Sequence, residues 1–223
     1  MAERRFAEKG TKDDKKTDAL HCGDFHFGIR HCFKHKSGAG VGSINTLPYA
    51  VSRITPLSLG TATTFMYFVF VAGQTAVYRK INAKVLLQIP FSYVMGVVID
   101  FYDKLMDFQA QTLPVSFLLL AAAIVCTAFG AYATVTMDFI PNPADGMAKA
   151  VSVALRKEFG QGKLIFDCVM ILATAAVSLA FAGKIIGIGI GTVLSAIFIG
   201  KLIGVFGRRI GGYMNGVVER SRK

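Results

Sequence analysis

The sequence predicts an all-α membrane protein, a polytopic helical bundle. Of its 223 residues 53% are hydrophobic and only 17% charged, a balance unlike that of soluble domains. The apolar residues are gathered into stretches near the roughly 20 residues that cross a bilayer. The chain also repeats one plan at an interval of 100 residues, the kind of periodicity that decides architecture.

Residues 1–40 come first, with charges of both signs and no apolar core segment, so no cleavable signal peptide is predicted there. Five candidate spans follow, at 59–78, 85–102, 115–137, 164–182 and 185–206. One such stretch could be a buried helix of a large soluble core, but the polar surface is too small to cover five. A basic tail occupies 211–223.

The net charge of +11 does not point to nucleic acid, because Lys and Arg gather at span ends and termini rather than in a stripe. They orient the chain instead. Arg79, Lys80 and Lys84 place the first connection in the cytoplasm, and Asp100, Asp103, Lys104 and Asp107 suit the outer face. Lys149, Arg156, Lys157 and Lys163 return the third connection inside, and Arg208, Arg209, Arg220, Arg222 and Lys223 make the C-terminus cytoplasmic. Five spans would then leave the basic N-terminus outside, against the same rule. A span is expected to be missing.

The repeat locates it. Ala50, Val51, Ser52 and Gly60 recur as Ala150, Val151, Ser152 and Gly160, and Val69, Ala76, Val77, Lys84 and Ile99 recur 100 residues on. Each half (41–110 and 111–210) holds a loop, a short helix and two spans, and in the second half that plan is preceded by the span at 115–137. The matching region, 15–37, contains Lys15, Lys16, Asp18, Asp24, Arg30 and Lys34 and cannot sit in lipid. Suitable codons for residues 31–38, read one base later, spell Ile-Ala-Leu-Asn-Ile-Lys-Ala-Gly. Residues 15–40 are therefore expected to be either a disordered arm or an out-of-frame reading of a first helix, which the gene sequence upstream of the Gly42 codon would distinguish. With that helix the expectation becomes six spans in two inverted three-helix repeats, an arrangement typical of secondary transporters.

The motifs Ser43-Ile44-Asn45-Thr46-Leu47-Pro48-Tyr49, Leu86-Leu87-Gln88-Ile89-Pro90, Ile99-Asp100, Phe166-Asp167 and Gly187-Ile188-Gly189-Ile190-Gly191-Thr192 resemble as a set the YczE/YyaS family of bacterial membrane proteins, from about residue 40 to residue 208. The resemblance implies a multi-pass protein of the bacterial inner membrane and brings no established activity. Members of that family begin with an apolar helix, so this chain departs from the pattern over its first 40 residues.

His21, Cys22, His26, His31, Cys32 and His35 could ligate zinc or copper, but their spacing matches no standard site. No metal and no cofactor is expected. Cys126 and Cys168 fall inside apolar spans, where small hydrophobes pack. The glycine run at 187–191 opens a span rather than a βαβ unit, so close helix packing is its default reading and a pathway lining the alternative. Candidate solute-pathway residues are Asn45, Tyr67, Gln88, Asp100, Asn142, Asp145 and Asp167. Asp167 and Asp100 are acids within or at the end of spans, which commonly mark ion or substrate routes. Asn45 and Asp145 are repeat equivalents at helix starts, as Tyr67 and Asp167 are mid-helix. Asn142 and Asp145 could instead simply cap a helix after Pro141 and Pro143, and Gln74 and Gln88 could simply join helices.

The leading expectation is a secondary transporter or permease for a small solute or ion. The alternative is a non-transporting membrane regulator or scaffold, with a homo-oligomer or another membrane protein as partner. No enzyme is expected, since no nucleophile and base pair can be found.

Overall fold

The computed structural model describes residues 41–80, 83–105, 113–137 and 140–222. Residues 1–40, with the His/Cys cluster and the expected frame change, lie outside them. Among the described residues all regular structure is helical. A 3-10 turn, Ser43–Asn45, leads into α1 (Thr46–Ile54). Then come α2 (Leu59–Tyr78), α3 (Ala83–Leu105), α4 (Leu113–Thr136), α5 (Pro143–Ala154), α6 (Phe159–Ala182) and α7 (Ile190–Arg222).

Three of these, at Ala83–Phe101, Phe159–Ala182 and Ile190–Gly211, are long and apolar enough to cross a membrane. The other two expected spans also form as helices, and α2 falls short of that measure. In α2 the reason is composition, for its inner face carries Thr63, Tyr67 and Gln74. In α4 the apolar part among the described residues is Leu120–Thr136. The fifth expected span begins later than its apolar run does. Gly187 takes φ +79°, a left-handed conformation open mainly to glycine, so 185–189 is loop and helix starts only at Ile190. It then continues through the basic tail to Arg222.

Polarity is inside out. Phe181 is 75% exposed and Leu172 68%, whereas Lys163 and Asp167 are fully buried. Water would reverse that order, because it rewards burial of apolar area and penalises desolvated charge. Apolar exteriors around polar centres belong to helical membrane proteins. Cys126 and Cys168 also lie on the exterior, unpaired, rather than packing inside.

The short helices tie the bundle together. α1 packs on α6, and α5 packs on both α2 and α6. Ile44, Ala144, Phe70, Met170, Tyr67 and Phe166 meet in one central cluster, in which Phe70 and Phe166 stack edge to face at 5.2 Å. A second cluster joins α4 to α7 through Leu120, Ile124, Ala128, Ile199 and Ile203. Two glycine crossings bring neighbouring backbones together. A Cβ on Gly60 would lie 2.1 Å from the Gly96 carbonyl oxygen, and one on Gly160 would lie 2.5 Å from that of Gly200. These crossings sit at the first turns of α2 and α6, and small residues there allow the close approach.

Candidate functional site

The centre of the bundle is where the two short helices begin. Gly42 (φ −56°, ψ 140°), before the 3-10 turn that leads into α1, and Asn142 (φ −50°, ψ 138°), before α5, have the same backbone conformation. Pro143 fits the first turn of α5 because its missing N–H would have been unsatisfied anyway. The Asn142 side chain caps α5 by accepting from the Ala144 amide at 3.0 Å and donates toward the Tyr67 hydroxyl at 3.4 Å. Asn142, rather than Asp145, is thus the cap.

Directions follow from the side-chain contacts. Asn142 meets Tyr67, and five residues on Met147 lies against Gly73, so α5 runs parallel to α2. Asp145 stands near Asp167, the two joined by the Lys163 ammonium, while Ser152 abuts Gly162 nearer the start of α6, so α5 runs antiparallel to α6. Ser43 lies beside Asp167, and Thr46 and Thr174 share a hydroxyl hydrogen bond at 2.8 Å, so α1 runs parallel to α6. The two short helices therefore diverge from N-termini that share the neighbourhood of Asp167.

That neighbourhood holds three charges. Lys163 Nζ donates to Asp167 Oδ1 at 2.8 Å, one helical turn away, and stands 3.6 Å from Asp145 Oδ1. Two carboxylates face one ammonium in the bundle interior, where removing an ion from water costs several kcal/mol. The positive ends of the two short helices add partial charge that favours the anions. Even so, Asp167 Oδ2 and Asn45 Oδ1 are buried without a hydrogen-bond partner, and Asp145 Oδ1 has only its ion pair with Lys163. Oxygen ligands are therefore left over where negative charge is in excess.

Glutamines and threonines hold each short helix at its start. Gln74 and Gln88 bond reciprocally through their amides at 2.8 and 3.2 Å, and Gln74 also donates to the Pro143 carbonyl at 3.1 Å. Opposite them Thr174 reaches Thr46, and Thr192 donates to the Val41 carbonyl, whose own amide bonds Gly187 O at 3.0 Å.

Of the seven residues singled out in the sequence, Asn45, Tyr67, Asn142, Asp145 and Asp167 gather at the centre, and Gln88 lies beside it through Gln74. Asp100 is elsewhere. Its carboxylate accepts from Ser58 Oγ and the Gly60 amide, both at 2.7 Å, and so caps the N-terminus of α2 from α3. Lys163 is the functional residue missed. As a Lys near a run of other cations it is expected in the third connection, yet it is fully buried in α6. The signal available was its spacing to Asp167, since residues four apart share a helix face.

No group of acids, histidines and cysteines suited to a metal occurs among the described residues. No curated protein matches the chain, and no solved structure matches it. A family of unknown function, DUF6198, matches residues 20–208, beginning twenty residues before the motif resemblance does. With most of its length matched, helical and apolar outside, the chain belongs to the family of unknown function DUF6198.

Proposed function

We propose that this protein is a secondary transporter or permease of the bacterial inner membrane, moving a small solute or ion through the point where α1 and α5 begin. One observation carries the reading: Lys163, Asp167 and Asp145 form a buried charge cluster in which Asp167 Oδ2 has no hydrogen-bond partner, placed between two helix N-termini. Ionisable groups held that deep are expensive and by default mark a route for ions or substrate. A proton or monovalent cation entering at the spare carboxylate oxygen would neutralise the excess charge and compete for the contacts of Lys163.

The architecture supports the same reading. α2 and α6 begin at Leu59 and Phe159, and α1 and α5 end at Ile54 and Ala154, so both boundaries recur after 100 residues. Because α5 is parallel to α2 and antiparallel to α6, the equivalent helices point oppositely, as inverted repeats do. The six-span form, the cytoplasmic C-terminus and the YczE/YyaS placement belong to this proposal, resting on loop charge and the quoted motifs. The regulator or scaffold reading draws on the reciprocal Gln74–Gln88 bond, a contact that helix packing alone would use.

Thermal unfolding of purified protein against a panel of monovalent cations and small solutes separates the two. Ligand at about 100 times its Kd stabilises by about 2.7 kcal/mol. Wild type is expected to gain stability from at least one cation or solute, and Asp167→Asn to lose that response. Wild type indifferent to the whole panel, with a membrane protein co-purifying, would mean a scaffold.

A further inference from the structure

Away from the centre, α6 and α7 leave a cleft of about 370 Å³ beside their glycine crossing. Gly160, Gly204 and Leu164 form an apolar floor, Lys201 and Arg208 stand on the α7 wall, and Glu158 stands at the α6 end. Lys201 and Arg208 are seven residues apart, two helical turns along one face. Both are exposed, and the ion pairs found among the described residues do not include either of them. The cleft opens at the first turn of α6, next to the exposed stretch 153–158, so it lies at interfacial depth for a span that starts at Phe159. At Gly204 a Cβ would meet nothing within 4 Å, so the floor is open.

We propose that this cleft binds one anionic phospholipid, with its phosphate between Lys201 and Arg208 and an acyl chain over the floor at Gly204. Two cations against the single acid Glu158 leave net positive charge at the mouth. Long basic side chains near a span end reach the headgroup layer while their stems lie on apolar surface, and basic pockets between spans select anionic headgroups. The small side chains that allow α6 and α7 to touch also leave room for the chain.

Native mass spectrometry of delipidated protein, titrated with phosphatidylglycerol or with phosphatidylcholine of the same acyl chains, tests it. Wild type should bind the first phosphatidylglycerol at least about tenfold more tightly than phosphatidylcholine, because the two basic residues attract the anionic headgroup. The Lys201→Gln/Arg208→Gln variant should lose that preference. Gly204→Leu, which fills the floor and keeps both charges, should weaken binding of either lipid. Equal binding of the two lipids by wild type would overturn the proposal, as would a preference that survives removal of both charges. Displacement of phosphatidylglycerol by millimolar inorganic phosphate would also overturn it, showing a site for a free anion.

Discussion

Replacing Lys163 with methionine should destabilise the protein by about 3–5 kcal/mol, the range for removing one partner of a buried ion pair. The methionine side chain keeps most of the volume, so the loss reads charge rather than a cavity. It leaves Asp145 and Asp167 facing each other with the only ammonium gone, in a site where Asp167 is fully buried. Asp167→Asn should lose less, because Lys163 retains Asp145 at 3.6 Å. The triple variant Lys163→Met/Asp145→Asn/Asp167→Asn should regain a large part of the Lys163→Met loss, since neutral groups replacing a whole buried charge set are often close to neutral in effect. SDS titration from a mild-detergent micelle, followed by circular dichroism, reads all three. A Lys163→Met variant as stable as wild type would remove Lys163 as the cation of the site.

Alanine at Gly60 or Gly160 should destabilise by about 1–3 kcal/mol or somewhat more, as overpacking does. The obstacle in each case is backbone, which cannot rotate aside. At Gly60 the new Cβ would meet the Gly96 carbonyl at 2.1 Å and the Asp100 carboxyl carbon at 2.6 Å, and at Gly160 the Gly200 carbonyl at 2.5 Å and the Gly204 amide nitrogen at 2.9 Å. Gly60→Ala should be the worse, because parting α2 from α3 also breaks the bond from the Gly60 amide to Asp100. Gly204→Ala is the control: its Cβ meets nothing, and alanine favours helix over glycine by about 1 kcal/mol. The same SDS titration should rank it at or above wild type, and a loss there equal to that at Gly60 would show general sensitivity of the helices rather than tight crossings.

Much of the fold is legible in apolar run length. The expected span 59–78 coincides with α2 (Leu59–Tyr78), and the start of α5 follows from Asn142. Where the expectation slips, polar or small residues disguise helix. The expected start at 164 misses the first turn of α6, because Gly160, Gly162 and Lys163 read as connection, whereas Gly160 is a crossing point and Lys163 is neutralised one turn on. The ungapped repeat also hides a difference in helix length. α2 has 20 residues and α6 has 24, and Gly200, which faces Gly160, comes about one turn of sequence after Ala196, the repeat equivalent of the Gly96 that faces Gly60. Ungapped sliding cannot see an insertion of that kind.

The candidate site is legible as residue types and illegible as a constellation. Asn45 and Asp145, or Tyr67 and Asp167, are paired by the repeat, but only packing brings α1 and α5 to one place. Asp100 looks like Asp167 in sequence. It differs because it sits where α3 crosses the open N-terminus of α2, whose amides need an acceptor. No pattern within α3 alone carries that information.

Water access at the start of α1 tests the pathway most directly. Asn45 is 5% exposed and its side-chain oxygen has no partner, so a single cysteine there, in an otherwise cysteine-free chain, is enclosed in the conformation described. If α1 and α5 frame a transport route, a membrane-impermeant thiol reagent should label Asn45→Cys in vesicles from one side, with the rate changed by whichever cation or solute stabilises the protein. A cysteine inert from both sides under every condition, in a protein that remains folded, would contradict the route and leave the cluster as a structural core.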